Sequence, residues 1–277
     1  MNKNVLITGG SGFLGREIIR QFSHINSGNI VAISQSEKRI CDINQIYSNV
    51  NFYCLDLANG KNNLEHIIKK HEIDYIIHCA AMKHVSICEK NTYRAIEVNV
   101  NGSKNIVDLF QENKLKNLLG ISTDKASNPT CVYGTTKFLM EKMFIEKGGS
   151  IYRGVNFLFS DGSVLDIWKN QMKKGLPLSI NVRNTTRFFI DVESVSKKII
   201  ENLDTKNTII LPEECYKIEL HDLAKAFCIL HNYNSTKDFY DDKIEKVIEE
   251  ISPEIKVKNA DVETIIGLLK NHYSKGF

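Results

Sequence analysis

The first half of the chain alternates short, nearly unbroken apolar runs with longer stretches whose apolar residues recur every three or four positions. The runs are Val5–Thr8, Ile30–Ser34, Phe52–Leu55, Tyr75–Cys79, Leu118–Ser122 and Val155–Phe159. Without in/out alternation, they match parallel strands covered on both faces. These longer stretches, Phe13–His24, Asn63–His71, Thr92–Asn113 and Val132–Glu146, read as helices. Strand and helix repeated in this order predict right-handed βαβ units and an α/β fold built on a doubly wound parallel sheet.

After Phe159 the pattern changes. Turn signals at Ser160-Asp161-Gly162 and Lys173–Pro177 precede short strand candidates, Leu178–Val182, Phe188–Ile190 and Thr208–Leu211. Helical patterns at Val192–Leu203 and His221–Leu230 lie among them. This mixture predicts a smaller α/β cap over 160–277 that would hold a substrate, partly interleaved with a sheet domain over 1–159. The chain from Asn232 to Phe277 is Lys/Glu-rich. Its apolar positions Val262, Ile265, Ile266 and Leu269 predict a surface helix packed on the cap or on a second copy.

Composition narrows the function classes. Hydrophobic residues at 42% and charged residues at 25% are those of a globular protein, not a disordered one. A net charge of +3 without a basic run argues against a nucleic-acid partner. The apolar stretch Tyr75–Met82 falls far short of a membrane span, and the strand beginning at Val5 leaves no room for a leader. The expectation is a cytoplasmic protein with no membrane partner. Seven cysteines without a C-x-x-C pair give neither a disulfide framework nor paired zinc ligands. The eight histidines lack H-E-x-x-H spacing, so no metal is expected, and His78 reads as a satisfied core residue.

The candidate chemistry begins at Thr8-Gly9-Gly10-Ser11-Gly12-Phe13-Leu14-Gly15, between the first strand and the first helix. Gly9, Gly12 and Gly15 would allow a tight turn, close backbone approach to a pyrophosphate and close helix–strand packing. The helix start would face the phosphate. A plain tight turn is the alternative. No acid ends the second strand, where NAD-preferring folds place one; Ser34 stands there instead, followed by Lys38 and Arg39. That favours NADP over NAD, with Glu37 keeping NAD open and a solvated loop the other reading of the two cations. Asp56-Leu57 follows the third strand, where Asp56 suits an adenine amino group or a helix N-cap. Tyr133 and Lys137 are four apart on one predicted helix face. An ammonium beside a phenol lowers the phenol pKa and suits it to take an alcohol proton as hydride leaves. Thr123, ending the fifth strand, would hold the same hydroxyl.

These motifs resemble the extended short-chain dehydrogenase/reductases, and within them the inverting, 5-epimerising UDP-N-acetylglucosamine 4,6-dehydratases of bacterial surface-sugar synthesis. The resemblance rests on TGGSGFLG, HCAAMKHVSICEKN (His78–Asn91), NVNG (Asn99–Gly102), STDKASNP (Ser122–Pro129) and YGTTK (Tyr133–Lys137). Asn156, Gly162-Ser163-Val164 and Thr186-Arg187-Phe188 extend it to about residue 227. It implies Tyr133 as the base at the sugar C4 hydroxyl, with Lys137 tuning it and holding the nicotinamide ribose. It implies Lys125 as the C5 base and Asp124 as the acid for the departing C6 hydroxyl. A surface salt bridge is the plain alternative for that pair. Ser11, Phe13, Leu14, Leu57, Ala80 and Ala81 join the implied cofactor contacts. Lys83, Asn156, Ser163, Val164 and Arg187 are the implied substrate contacts, with Arg187 pairing the nucleotide diphosphate. Asn99 is expected to fix strand and helix geometry. A homo-oligomer is implied as well.

Three departures stand out. Cys131 replaces the usual Asn before Val-Tyr, Asp161 replaces an Arg before Gly-Ser-Val, and an R-P-G-E-K cap segment is missing, with a tail shorter than usual. The catalytic set is complete while the nucleotide contacts are thinned. A nucleotide-sugar 4-epimerase or 4-keto reductase is the competing enzyme. A cofactor-binding relative without turnover is the competing non-enzyme.

Overall fold

The computed structural model describes residues 1–181, 186–239 and 251–274. The end of the expected strand at Val182, and parts of the Lys/Glu-rich tail, lie outside them.

In chain order the elements begin with β1 (Val5–Thr8), α1 (Phe13–Ile25), β2 (Ile30–Ser34), α2 (Glu37–Asn44), β3 (Val50–Cys54) and α3 (Lys61–Lys70). Next come β4 (Tyr75–His78), α4 (Val85–Lys90), α5 (Thr92–Ile96), a π-helical turn (Glu97–Asn101), α6 (Gly102–Glu112) and β5 (Asn117–Thr123). A 3-10 turn (Asp124–Ala126) leads into α7 (Val132–Glu146) and β6 (Ser150–Gly154). Then follow β7 (Asn156–Phe157), α8 (Val164–Lys173), β8 (Leu178–Asn181), β9 (Thr186–Ile190), α9 (Val192–Glu201) and β10 (Ile209–Ile210). The last elements are β11 (Glu214–Glu219), α10 (Leu220–His231), β12 (Thr236–Phe239), β13 (Lys256–Asn259) and α11 (Val262–Ser274).

Contacts divide the chain into two compact units: Met1–Gly154 with Val192–Pro212, and Val155–Asp191 with Glu213–Phe277. The first holds a seven-stranded parallel sheet in the order β10-β6-β5-β4-β1-β2-β3. The order changes direction between β1 and β4, so Thr8 lies opposite His78 where the chain leaves both strands. Doubly wound sheets bind ligands in the crevice at such a switch point. Leu6, Val31, Ile33, Ile76, Leu118, Met140 and Phe144 belong to a buried core of this unit. The second unit has a four-stranded mixed sheet, β13-β11-β9-β7, and a parallel pair, β12-β8. Trp168, Phe189, Ile218, Phe227, Ile265 and Leu269 pack together there.

Four expectations are corrected. The sixth sheet strand is β6, not Val155–Phe159, whose Asn156–Phe157 pairs with β9 in the second unit. Ile151 and Tyr152 are fully buried in β6, while its polar Ser150 and Arg153 hid the strand pattern. The elements at Val192–Leu203 and Thr208–Leu211 belong to the sheet unit, not the cap: α9 packs on α1 and β10 pairs with β6. The single helix expected over Thr92–Asn113 carries the π turn. The stretch read as a loop around Lys38 and Arg39 is α2, capped by Ser36, whose hydroxyl accepts from Arg39 N.

Candidate active site

At the end of β1 the chain turns through Gly9 with φ of +67°. A Cβ there would sit 2.8 Å from Ala80 N, and one at Gly15 would strike Gly9 O. These positions need glycine because backbone meets backbone, which carries the loop tightly from β1 into α1. No side-chain cap and no first-turn acid occupies the start of α1, which suits a phosphate group. The loop and helix start, which run through Gly9, Ser11, Gly12, Phe13, Leu14 and Gly15, therefore suit a dinucleotide. Ser11 Oγ lies 2.6 Å from Ser34 Oγ, and Ser36 N donates to Ser34 Oγ at 3.2 Å. Ser34 is thus tied to the glycine loop as well as ending β2. Lys38 and Arg39 are exposed on the first turn of α2.

Asp56 does not cap the next helix, whose N-cap is Gly60. Its Oδ1 accepts from Ala58 N at 2.9 Å and its Oδ2 from Arg94 at 3.2 Å. Burial opposes ionisation, but the Ala58 N–H and the Arg94 guanidinium together hold the carboxyl below its ordinary range. Leu57 is buried beside it.

His78, fully buried, connects the loops above β1 and β4. Ser103 Oγ donates to Asn99 O at 2.7 Å and so accepts from His78 Nε2 at 3.0 Å. That leaves His78 Nδ1 to accept from Thr8 Oγ1 at 2.8 Å, while Thr8 accepts from Ala80 N at 3.3 Å. Burial, with Lys137 adding to it, pushes the imidazole pKa down to about 3, so the neutral ring is the working form. Asn99, in the π turn, accepts from Met82 N at 2.7 Å and donates to Met82 O at 2.9 Å and Thr136 Oγ1 at 3.0 Å. It fixes geometry, as expected, by clamping the Ala80–His84 loop to α7. Ala80 and Ala81 are partly buried in that loop and Lys83 is exposed on it.

The end of β5 gathers the candidate catalytic groups. Thr123 Oγ1 donates to Asp124 Oδ1 at 2.7 Å, and Lys125 Nζ reaches the same oxygen at 3.2 Å. Asp124 and Lys125 are buried, which rules out a solvated surface bridge. The partly buried Tyr133 phenol interacts with the Thr123 hydroxyl, so contacts run from Tyr133 through Thr123 and Asp124 to Lys125. Gly134 makes room for this turn, since a Cβ there would strike Lys125 O.

The electrostatics differ from the sequence expectation. Burial, then the Asp124 carboxylate, push the Tyr133 phenol above its ordinary range. Lys137 lies on the same helix face, but its Nζ contacts Met140 Sδ at 2.9 Å. Burial lowers its pKa to about 8, against the raising influence of Glu141.

The remaining expected residues lie in the second unit. Asn156 Nδ2 donates to Phe188 O at 2.9 Å, and Arg187, on β9, donates to Thr186 O at 2.8 Å. Ser163 caps α8 by accepting from Asp166 N at 3.4 Å, and Val164 packs against that unit's core. Asp161 is partly buried in the preceding turn. Sequence reasoning missed Arg94, Glu141 and Arg153. Only Glu141 left a signal, as a carboxylate four residues beyond Lys137.

A family model described as polysaccharide biosynthesis protein matches residues 5–265. A Methanocaldococcus jannaschii protein named an uncharacterized membrane protein is 31% identical over 277 residues, covering 96% of this chain and 77% of its own length. An inverting UDP-N-acetylglucosamine 4,6-dehydratase of Campylobacter jejuni is 32% identical over 214 residues, covering 73% of this chain and 64% of itself. A UDP-glucose 4-epimerase of Rickettsia canadensis is 34% identical over 212 residues, covering 71% and 61%. In fold, a dTDP-glucose 4,6-dehydratase of Streptomyces venezuelae, DesIV, superposes with a TM-score of 0.83 at 13% identity, covering 99% of this chain and 97% of that one. Among the described residues no helix is long and apolar enough to cross a membrane.

Proposed function

Since the chain belongs to the polysaccharide biosynthesis protein family, with sugar-nucleotide dehydratases and epimerases among its relatives, we propose that it is an NADP-dependent sugar-nucleotide 4,6-dehydratase. It inverts C5 of a UDP-N-acetylglucosamine-like substrate for surface-sugar synthesis, as a cytoplasmic homo-oligomer. The observation that carries this reading is the run of contacts Tyr133–Thr123–Asp124–Lys125, with Thr123, Asp124 and Lys125 buried. An epimerase or ketoreductase uses a tyrosine, a hydroxyl and Lys137, but has no task for a buried acid–base pair beside them.

NADP held by the glycine loop with Ser34, Lys38 and Arg39 would supply the hydride acceptor for C4 and the hydride donor for C6. Tyr133 accepts the C4 hydroxyl proton, a role that needs positive charge near its raised phenol, and Lys137 is the chain's own source of it. The Asp124–Lys125 pair holds one transferable proton between Oδ1 and Nζ, 3.2 Å apart. Passing it to the carboxylate leaves a neutral amine and a carboxylic acid. The amine takes the C5 proton, made acidic by the C4 ketone, while the acid protonates the departing C6 hydroxyl. Water leaves, and the pair is again ammonium and carboxylate. Reprotonation on the opposite face inverts C5. Ser34, Lys38 and Arg39 support the preference for NADP, since they bring donors and charge to a 2′-phosphate. Lys83, Asn156, Ser163, Val164 and Arg187 are the proposed substrate contacts.

Incubation with UDP-N-acetylglucosamine and NADP tests the reading by product mass. A product lighter by one water, with solvent deuterium at C5, is expected. Tyr133→Phe should produce no reduced nicotinamide. Lys125→Ala should reduce the cofactor once and stall before water is lost, with dehydration slowed by roughly two to four orders of magnitude. Dehydration by Lys125→Ala at the wild-type rate would sink the assignment. The likeness to the Rickettsia epimerase favours a second reading, a 4-epimerase, which would give a new sugar of unchanged mass.

A further inference from the structure

We propose that Arg153 is a positioning residue: with Glu141 and Ser127 it braces the Asp124–Lys125 turn against the helix that carries Tyr133 and Lys137. This rests on the dehydratase reading for its effect on turnover. Arg153 projects from β6, and its Nε donates to Glu141 Oε1 at 2.9 Å while a terminal nitrogen donates to Glu141 Oε2 at 2.5 Å. The other terminal nitrogen donates to Ser127 Oγ at 3.1 Å. Ser127 N in turn donates to Asp124 O at 3.0 Å, so the hydroxyl that Arg153 grips belongs to the turn itself.

Glu141 lies on α7 four residues after Lys137 and eight after Tyr133, on the face those two share. Its side chain is only 4% exposed. The turn therefore meets α7 at two places. One is the close backbone approach of Lys125 to Gly134; the other is the Arg153 fork. With the first contact alone, the turn can pivot about Gly134 and carry the Asp124 and Lys125 side chains away from Tyr133. With both, the acid–base pair and the tyrosine are held in one frame.

A buried ion pair is a poor way to fill a core, since desolvation offsets most of its attraction, and apolar residues of similar volume often serve stability as well. What a bidentate guanidinium adds is fixed direction. That difference makes the idea testable with a double variant, Arg153→Met with Glu141→Leu, which removes both halves of the pair together and also takes from Lys137 the carboxylate that raises its pKa. Ser127→Ala is the milder companion, because it cuts the link to the turn and keeps the ion pair.

Three readings are taken on the full-length protein: thermal midpoint, amide hydrogen exchange across residues 124–127, and kcat and KM for UDP-N-acetylglucosamine with NADP. The double variant should melt within a few degrees of wild type, and exchange in the turn should rise on the order of tenfold. Its kcat should fall on the order of 10²-fold with KM changed little, the pattern of misplaced reacting groups. Ser127→Ala should move exchange and kcat in the same directions by less. A folded double variant with wild-type exchange and kcat overturns the proposal, as does faster exchange with kcat unchanged. If the double variant does not fold, Ser127→Ala decides by the same two readings. If the wild type itself does not turn over, the dehydratase reading fails, and exchange in the turn alone decides whether the brace exists.

Discussion

Lys137 places an ammonium where only 2% of the residue is exposed, and burial holds its pKa at about 8 instead of 10.5. Below pH 8 folded and unfolded chains both carry the proton, so the buried charge destabilises the fold by its full amount. Between pH 8 and 10.5 the folded chain gives the proton up first, and the penalty fades. Lys137→Met should therefore stabilise the protein at pH 7, on the order of 2 kcal/mol, and by progressively less as the pH approaches 10.5. It should also abolish turnover, a trade of stability for function common at catalytic groups. Melts of both proteins at several pH values check this; a gain independent of pH would assign it to packing instead of charge. Residues of this kind were legible in the sequence because their spacing is local: Tyr133 and Lys137 are one helical turn apart, and the glycines sit between a strand and a helix. Asp56 was only half legible. Its settled partner, Arg94, lies 38 residues away, and no periodicity announces such a pairing.

Among the elements, α7 carries both Tyr133 and Lys137, and its first turn is held unusually. Cys131 caps it, accepting from Gly134 N through sulfur at 3.3 Å, while Glu89 Oε1 accepts from Val132 N at 2.6 Å. Sulfur is a weak acceptor, and an Asn oxygen at the same place is a strong one. Cys131→Asn should raise stability by roughly 0.5–1 kcal/mol, read from a shift in denaturant midpoint at constant slope. No shift would mean that Glu89 already satisfies the helix start. Both α1, with a strong apolar period, and α7, with almost none, start where the sequence predicts. Those that failed carry polar residues whose partners lie elsewhere. Arg153 disguised β6 because its charge is answered by Glu141, and α2 was passed over because its outer face is Glu, Lys and Arg. The π turn left no mark, since its extra residue is absorbed within an otherwise regular helix.

At the scale of the molecule, the segment that returns to complete the sheet unit was misread because chain continuity suggested that everything after Phe159 belonged together. Asn117, wholly buried at the start of β5, shows how firmly that segment is stitched in: its Nδ2 donates to Leu203 O at 2.8 Å and Thr205 O at 2.7 Å. Ser150 Oγ donates to the same Thr205 carbonyl at 2.7 Å. Asn117→Ala removes both donations and strands the Leu203 carbonyl, while Thr205 O keeps Ser150, so a loss of roughly 1–3 kcal/mol is expected in equilibrium unfolding. A loss below about 0.5 kcal/mol, the usual range for surface substitutions, would show that water replaces the side chain. The same stitching has a consequence in time. A ribosome delivers residues in order, so a nascent chain that has completed β6 must wait through the whole Val155–Asp191 excursion before α9 and β10 arrive to close the sheet's edge. Neither unit is finished when the other begins. A gene fusion that exchanges the second unit for a relative's therefore needs three junctions, one after Gly154 and one on each side of Val192–Pro212, and a single crossover after Gly154 would close this sheet with the relative's α9 and β10.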